Sequence, residues 1–228
     1  GADDLLRPSR CPGWTVADVL LHLAQTNEMA VASVAGQLES FVREAADGLA
    51  PVGSVDDWAE APVDLQRGAP TDDRDRWAAS AQAQAEAFAG CDPTARVEWV
   101  AGQLAARTLA TTRLTETWIH TVDVAFGFGA PPAPTGRLWH TARLVWRTVP
   151  YALGQAGIVA AGPVAFELVA PDGSTWSFGT DDEPATRITG SAAELCEVAG
   201  QRASAADTGL VGTGPDAEAV LQRMRTFA

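Results

Sequence analysis

The chain has 228 residues, 46% of them hydrophobic and 20% charged, enough for one large or two small cores. All sixteen basic residues are arginine, against twenty-nine Asp and Glu, and the three histidines are His22, His120 and His140. The lack of lysine excludes Schiff-base, P-loop and Ser-Lys chemistry, and a formal charge of -13 argues against nucleic acid or an anionic membrane as partner.

Cys11, Cys91 and Cys196 are odd in number, far apart and without C-x-x-C spacing. They predict neither a disulfide framework nor a zinc ribbon, and they suit a reducing cytoplasm. The longest weakly polar stretch, 156–166, is too short for a bilayer and is interrupted by glycine and proline. No leader peptide is visible after Gly1.

Helix signals begin at Thr15, which with Asp18 has capping-box spacing. Val16, Val19, Leu20, Leu23, Val31 and Val34 then recur at helical intervals and predict an amphipathic helix of about six turns. Gly48, Pro51, Gly53, Pro62, Gly68 and Pro70 punctuate a looser segment. Residues 72–90 read as a second helix with Trp77, Ala81, Gln84 and Phe88 along one side. A third is expected over 104–126, where Leu114, Trp118, Ile119, Val122, Ala125 and Phe126 form a broad apolar face and Thr112, Glu116, His120 and Asp123 gather opposite.

Prolines and glycines over 127–136 mark a domain boundary, and the grammar changes after it. A helix over 137–154 carries Leu138, Ala142, Val145, Val149 and Leu153 on one stripe. Residues 164–169 and 175–178, joined by Pro171-Asp172-Gly173-Ser174, read as a β-hairpin. A strand at 187–189, a helix from Ser191 to about 202, a strand at Leu210-Val211 and a helix over 215–227 complete the chain. The fold class predicted is a helical first part, 1–130, followed by a small α+β domain, 136–228.

Glu116 and His120 are four apart on one helix, so their side chains leave the same face and can either grip one metal ion or simply pair with each other on a solvated face. His22 lies among Leu20, Leu21 and Leu23, where a buried imidazole needs a partner, either an ordinary hydrogen-bonding neighbour or a shared ion. Two imidazoles and one carboxylate leave coordination positions open, the pattern of a catalytic divalent ion. Asp123 can orient a ligand from behind or sit as an exposed carboxylate. On the 137–154 helix, His140, Arg143 and Arg147 share the face opposite the apolar stripe, suited to an anionic group or to pairing with surface acids. Cys11, with Pro12 beside it and no adjacent base, reads as a packing residue, and Cys196 as core. The tryptophans read as core anchors, with one or two lining a pocket.

Cys11 to Asp18, then Leu20-Leu21-His22-Leu23-Ala24, and much later Thr112 to Val124 resemble the two motif blocks of the mycothiol-dependent maleylpyruvate isomerase family, within the DinB/YfiT-like metalloprotein superfamily. Residues 166–178 and 196–213 are similar to the family's C-terminal domain, itself like sterol-carrier folds. The resemblance implies a DinB-like bundle, a divalent ion with zinc as first choice on His22, Glu116 and His120, and chemistry with a small thiol such as mycothiol. From their positions on the helices, Asp123 and Arg147 are expected to act on the substrate and His140 and Arg143 to contact the thiol cofactor, while the resemblance of the second domain adds Arg202 as a further catalytic candidate. Family members carry a helix ahead of the Pro-Gly-Trp block, whereas ten residues precede Cys11. Either that helix lies outside this sequence, or another segment fills its place, for instance from the second subunit of a homodimer.

Expected on this basis is a cytoplasmic metal-dependent isomerase or S-transferase that activates a thiol for attack on a small electrophile. Two alternatives stay open: a thiol-independent biosynthetic enzyme on the same scaffold, and a non-catalytic protein that binds a small molecule.

Overall fold

The protein is described by a computed structural model over residues 1–45, 55–100 and 102–226, with the backbone alone for 55–60. It divides into two compact units, Gly1–Pro132 and Ala133–Ala228. Among the described residues no helix is long and apolar enough to cross a membrane.

The first unit is helical: α1 (Ala2–Leu5), α2 (Val16–Val34), α3 (Leu38–Ala45), α4 (Val55–Gln66), α5 (Pro70–Gly90) and α6 (Ala106–Phe126). The Thr15 hydroxyl accepts from the Asp18 amide, and the Asp18 carboxylate accepts from the Thr15 amide at 2.8 Å, so the predicted capping box fixes where α2 starts. Asp18 also accepts from Arg67 Nε at 2.6 Å, which ties the end of α4 to the head of α2. α2 is central and packs against α3, α4, α5 and α6. Leu5 of α1 is buried against Val16 and Ala17, while Met29, Ala30, Val97, Trp99, Ala106 and Leu109 close a second cluster.

Three expectations are corrected here. The segment read as loose contains α3 and α4, although Gly48, Pro51 and Gly53 lie outside the described residues. Pro62 sits within α4, and the helix is held by tertiary contact: Val63 is wholly buried and Gln25 Nε2 donates to the Pro62 carbonyl at 2.9 Å. Residues Leu104–Ala105 form β2, paired with β1 (Arg96–Val97), so α6 starts two residues later than its pattern suggests.

The third correction concerns which side of α6 faces inward. Thr112, Arg113, Thr115, Glu116, His120 and Asp123 are buried with Leu109 and Ile119, whereas Leu114, Trp118 and Val122 are only half-buried and Phe126 is 62% exposed. The polar face points into the bundle because partners for it wait there on α2, α5 and the loop before α2. Satisfied polar groups can be buried where unsatisfied ones cannot.

The second unit carries a four-stranded sheet in the order β4-β3-β5-β6, from β3 (Val164–Val169), β4 (Thr175–Phe178), β5 (Thr186–Ser191) and β6 (Val211–Thr213). β3 and β4 form the predicted hairpin; Gly173 takes φ +82°, and Asp172 Oδ1 accepts from the Ser174 amide at 3.0 Å to close its turn. β3 pairs in parallel with β5, which pairs antiparallel with β6. Phe166, Leu168, Phe178 and Ile188 are buried in register, and α7 (Leu138–Gln155) buries its whole predicted stripe, Leu138, Ala142, Val145, Val149 and Leu153. Trp146 Nε1 donates to the Val164 carbonyl at 2.8 Å and locks α7 to β3. α8 (Ala192–Ala199) and α9 (Ala217–Arg223) are both shorter than expected. The chain turns out of α8 through Gly200 and through Gln201, whose φ is +58°.

Candidate metal centre

α2 contributes His22, and α6 contributes Glu116 and His120 one turn apart. The two ring Nε2 atoms converge on the same carboxylate oxygen: Glu116 Oε1 lies 3.4 Å from His22 and 3.3 Å from His120. All three residues are at least nine-tenths buried. The imidazoles meet edge to face at 4.9 Å between centroids, and the Trp14 ring covers His22 at 5.4 Å.

Charge-assisted hydrogen bonds close to about 2.7–2.9 Å. Ligand atoms around a tetrahedral ion with bonds of about 2.0–2.2 Å stand about 3.4 Å from each other. The two histidine-to-Glu116 separations match the second figure, and two imidazoles with one carboxylate are a donor set that fits a borderline divalent ion such as zinc.

The polar groups behind these three are held firmly. His120 Nδ1 lies 2.9 Å from Asp123 Oδ2, and Asp123 is fully buried. Burial opposes charge on His120, but Asp123, Cys11 and Glu116 outweigh it and raise the imidazole well above its ordinary range. Burial likewise opposes charge on Glu116, yet the contacts to both histidines hold its carboxyl far below the usual range. Burial dominates at His22 and, with the neighbouring His120 charge, pushes it down. With no ion bound, these contacts favour the charged form of His120, which lies between two carboxylates, and burial favours the neutral form of His22.

Sequence reasoning missed two participants. Arg113 is 3% exposed, and its guanidinium donates to Gln84 Oε1 at 3.2 Å, Thr26 Oγ1 at 2.7 Å and Asn27 Oδ1 at 3.2 Å. Burial lowers its pKa against the pull of Glu116, but a guanidinium stays charged in proteins. Its one signal in the sequence was an arginine on the face shared with Glu116. The second is Cys11, whose Sγ donates to Asp123 Oδ2 at 3.3 Å. It is therefore more than the packing residue expected. Because 112 residues separate the pair, nothing in the sequence announces it. Cys196 is core as expected, with burial pushing its thiol up.

The remaining candidates belong to the second unit. His140, Arg143 and Arg147 lie exposed on α7, with Trp139 under the Arg143 guanidinium at 5.8 Å and edge-on to the His140 ring at 5.2 Å. Arg202 follows α8, donates from Nη1 to the Gly200 carbonyl at 2.9 Å and lines an open groove of about 1330 Å³ shared with Glu218, Gln222, Arg223 and Arg225.

A helical unit with two imidazoles and a carboxylate converging in its interior, followed by a small sheet unit, defines a class of two-part proteins built around a candidate metal site. A model of the mycothiol maleylpyruvate isomerase N-terminal domain matches residues 1–125. The chain belongs to the mycothiol maleylpyruvate isomerase family, as the two motif blocks suggested. Two proteins of Mycobacterium tuberculosis, from strains CDC 1551 / Oshkosh and H37Rv and both described as uncharacterized, are 33% identical over 231 aligned positions, which span 100% of this chain and 87% of theirs. The fold is similar to that of a solved mycothiol-dependent maleylpyruvate isomerase, at TM-score 0.54 and 19% identity over 93% of this chain and 83% of that one. A mutant of that enzyme aligns over the same shares at TM-score 0.55 and 18% identity. The expected order, a helical part followed by a small sheet domain, agrees with these neighbours.

Proposed function

We propose that this protein is a metal-dependent enzyme that uses a low-molecular-weight thiol, mycothiol in the first instance, to isomerise a small electrophilic substrate or to join the intact thiol to it through a new C–S bond. One observation carries the reading: two imidazole nitrogens converge on one carboxylate oxygen at ligand-to-ligand distances inside a buried site. Family membership supports the thiol and the isomerase chemistry. A divalent ion held by His22, Glu116 and His120 would supply Lewis acidity that favours the thiolate over the thiol.

The chain's own residues supply the rest. Asp123 accepts the Nδ1 proton of His120, which leaves Nε2 as the ligand atom and fixes the ring plane. A divalent ion held there would balance the charges on Glu116 and Asp123, and buried Arg113 would add a positive charge that favours an anionic partner such as a thiolate. Trp14 lies over His22 and limits water on that side. In the second unit we assign substrate carboxylate recognition to Arg147 and Arg202 and thiol-cofactor contacts to His140 and Arg143, since guanidinium and imidazole groups there suit anions.

The test is metal content and thiol-dependent turnover of maleylpyruvate-like substrates by protein purified without a histidine tag, alongside His120→Ala. We expect about one zinc per wild-type chain, none in the variant, and turnover only with thiol and metal together. Equal activity of the two proteins, both metal-free, overturns the proposal. Turnover without thiol replaces it with a thiol-independent enzyme.

A further inference from the structure

Cys11 belongs to none of the roles assigned above, yet it sits where the centre is braced. Its Sγ and the Nδ1 of His120 share one acceptor, Asp123 Oδ2, at 3.3 and 2.9 Å. One potential donor atom from each of Cys11, His120 and Asp123 lies within 4.8 Å of the other two. We infer that Cys11 is a positioning residue for the metal centre: its S–H fixes the carboxylate of Asp123, which in turn aligns His120.

The loop that carries Cys11 is built to hold it there. The Arg10 amide donates to the Asp123 backbone carbonyl at 3.0 Å, satisfying an acceptor in the last turn of α6. Ser9 braces the loop from within: its hydroxyl oxygen accepts from the Cys11 amide at 3.1 Å and donates to the Trp14 carbonyl at 2.9 Å, and the Ser9 amide donates to that carbonyl too. The loop is also seated closely on α6, since a Cβ at Gly127 would stand 2.6 Å from the Pro8 carbonyl. Its far end is Trp14 against His22 and Thr15, which caps the helix bearing His22. One short loop thus reaches both imidazoles, one through Asp123 and the other through Trp14.

A second donor on Asp123 matters because the terminal torsion of an aspartate is soft and broad. The His120 ring sets one direction for this carboxylate, and the thiol adds a second. Groups one step removed from a metal's ligands typically change affinity about 10–100-fold when lost. A weak S–H donor one step further out should act at or below the lower end of that range.

The effect on a bound ion rests on the proposed function, but the alignment of His120 does not, so the experiment reads both. Metal-free wild type, Cys11→Ala and Cys11→Ser are compared by ¹⁵N NMR of the His120 ring, and Zn²⁺ affinity is measured on each by competition with a chromophoric chelator. The expected result is an exchange-protected Nδ1–H signal in wild type and Cys11→Ser that broadens or shifts in Cys11→Ala. Zn²⁺ affinity should fall about 3- to 10-fold in Cys11→Ala and stay within about 2-fold in Cys11→Ser, because serine keeps a donor and alanine does not. If wild type binds no Zn²⁺, the metal reading fails while the NMR comparison still decides the role of Cys11. An Nδ1–H signal unmoved in Cys11→Ala overturns the inference, as does an unmoved affinity where wild type binds the ion.

Discussion

His120 Nδ1 meets Asp123 Oδ2 at 2.9 Å, while the other nitrogen of the same ring stands 3.3 Å from Glu116 Oε1, so a single imidazole bridges two buried carboxylates. That position raises the His120 pKa in the metal-free fold, which sets the sign of its pH dependence. Its stabilising contribution is fully present below the ordinary histidine value of 6.5 and is lost as pH climbs through the raised folded pKa. His22, shifted down, contributes fully above 6.5 and loses that contribution as pH falls. Glu116, also shifted down, contributes above the ordinary glutamate value of 4.5 and loses that only in strong acid. Urea unfolding of metal-free protein should therefore show stability falling on the alkaline side, and His120→Gln should flatten that limb and leave the acid limb in place.

Loading the centre should reverse part of this pattern. An ion on His120 Nε2 must displace the proton held there, so Zn²⁺ binding near neutral pH should release about one proton per ion. Calorimetry in buffers of different ionisation enthalpy measures that number. A binding enthalpy that does not change with the buffer would show that His120 is not a ligand.

Asp123→Asn keeps a carbonyl oxygen as acceptor but removes the charge that raises His120. We expect Zn²⁺ affinity to drop about 10–100-fold with little change in the fold. Competition titration with a chelator, alongside far-ultraviolet circular dichroism, separates the two effects.

Much of the frame was legible because its signals are local. The Thr15–Asp18 box fixed the start of α2, and the stripe from Leu138 to Leu153 is buried throughout. The hairpin at Gly173 followed from its turn residues. The convergence of His22 on Glu116 required the motif resemblance, since spacing constrains only residues on one helix. The burial of the polar side of α6 was not legible, because hydropathy ranks Trp118 above Thr112 and contains no record of the Arg113, Gln84 and Thr26 partners that make polar burial tolerable. Helices α3 and α4 were hidden by glycine and proline punctuation whose cost is offset by contacts with α2.

Arg113→Leu should destabilise the first unit by about 2–4 kcal/mol, because Gln84, Thr26 and Asn27 lose a shared buried donor. Arg113→Lys should recover only part of the loss, since an ammonium lacks the planar fork that reaches partners on both α2 and α5. Chemical denaturation monitored by tryptophan fluorescence gives both numbers.

Gly127→Ala should be costly for a reason unrelated to helix propensity. Its Cβ would press on the Pro8 carbonyl at 2.6 Å, so the loop must lift away from α6. We expect a loss of about 1–3 kcal/mol. A change in Trp14 fluorescence should accompany it, because Trp14 closes the same loop.

The inward turn of the polar side of α6 also bears on how the protein can be altered. Thr112 and Thr115, 9% and 1% exposed, fill tight positions beside the centre, while the bulky Leu114, Trp118 and Val122 occupy the other side. An engineer who strengthened this helix by hydropathy alone, adding apolar bulk to the Trp118 side and polar residues opposite, would favour rolling it by half a turn. That rotation would carry Glu116 and His120 out to solvent and away from His22, so a more amphipathic α6 could yield a well-folded bundle without its centre.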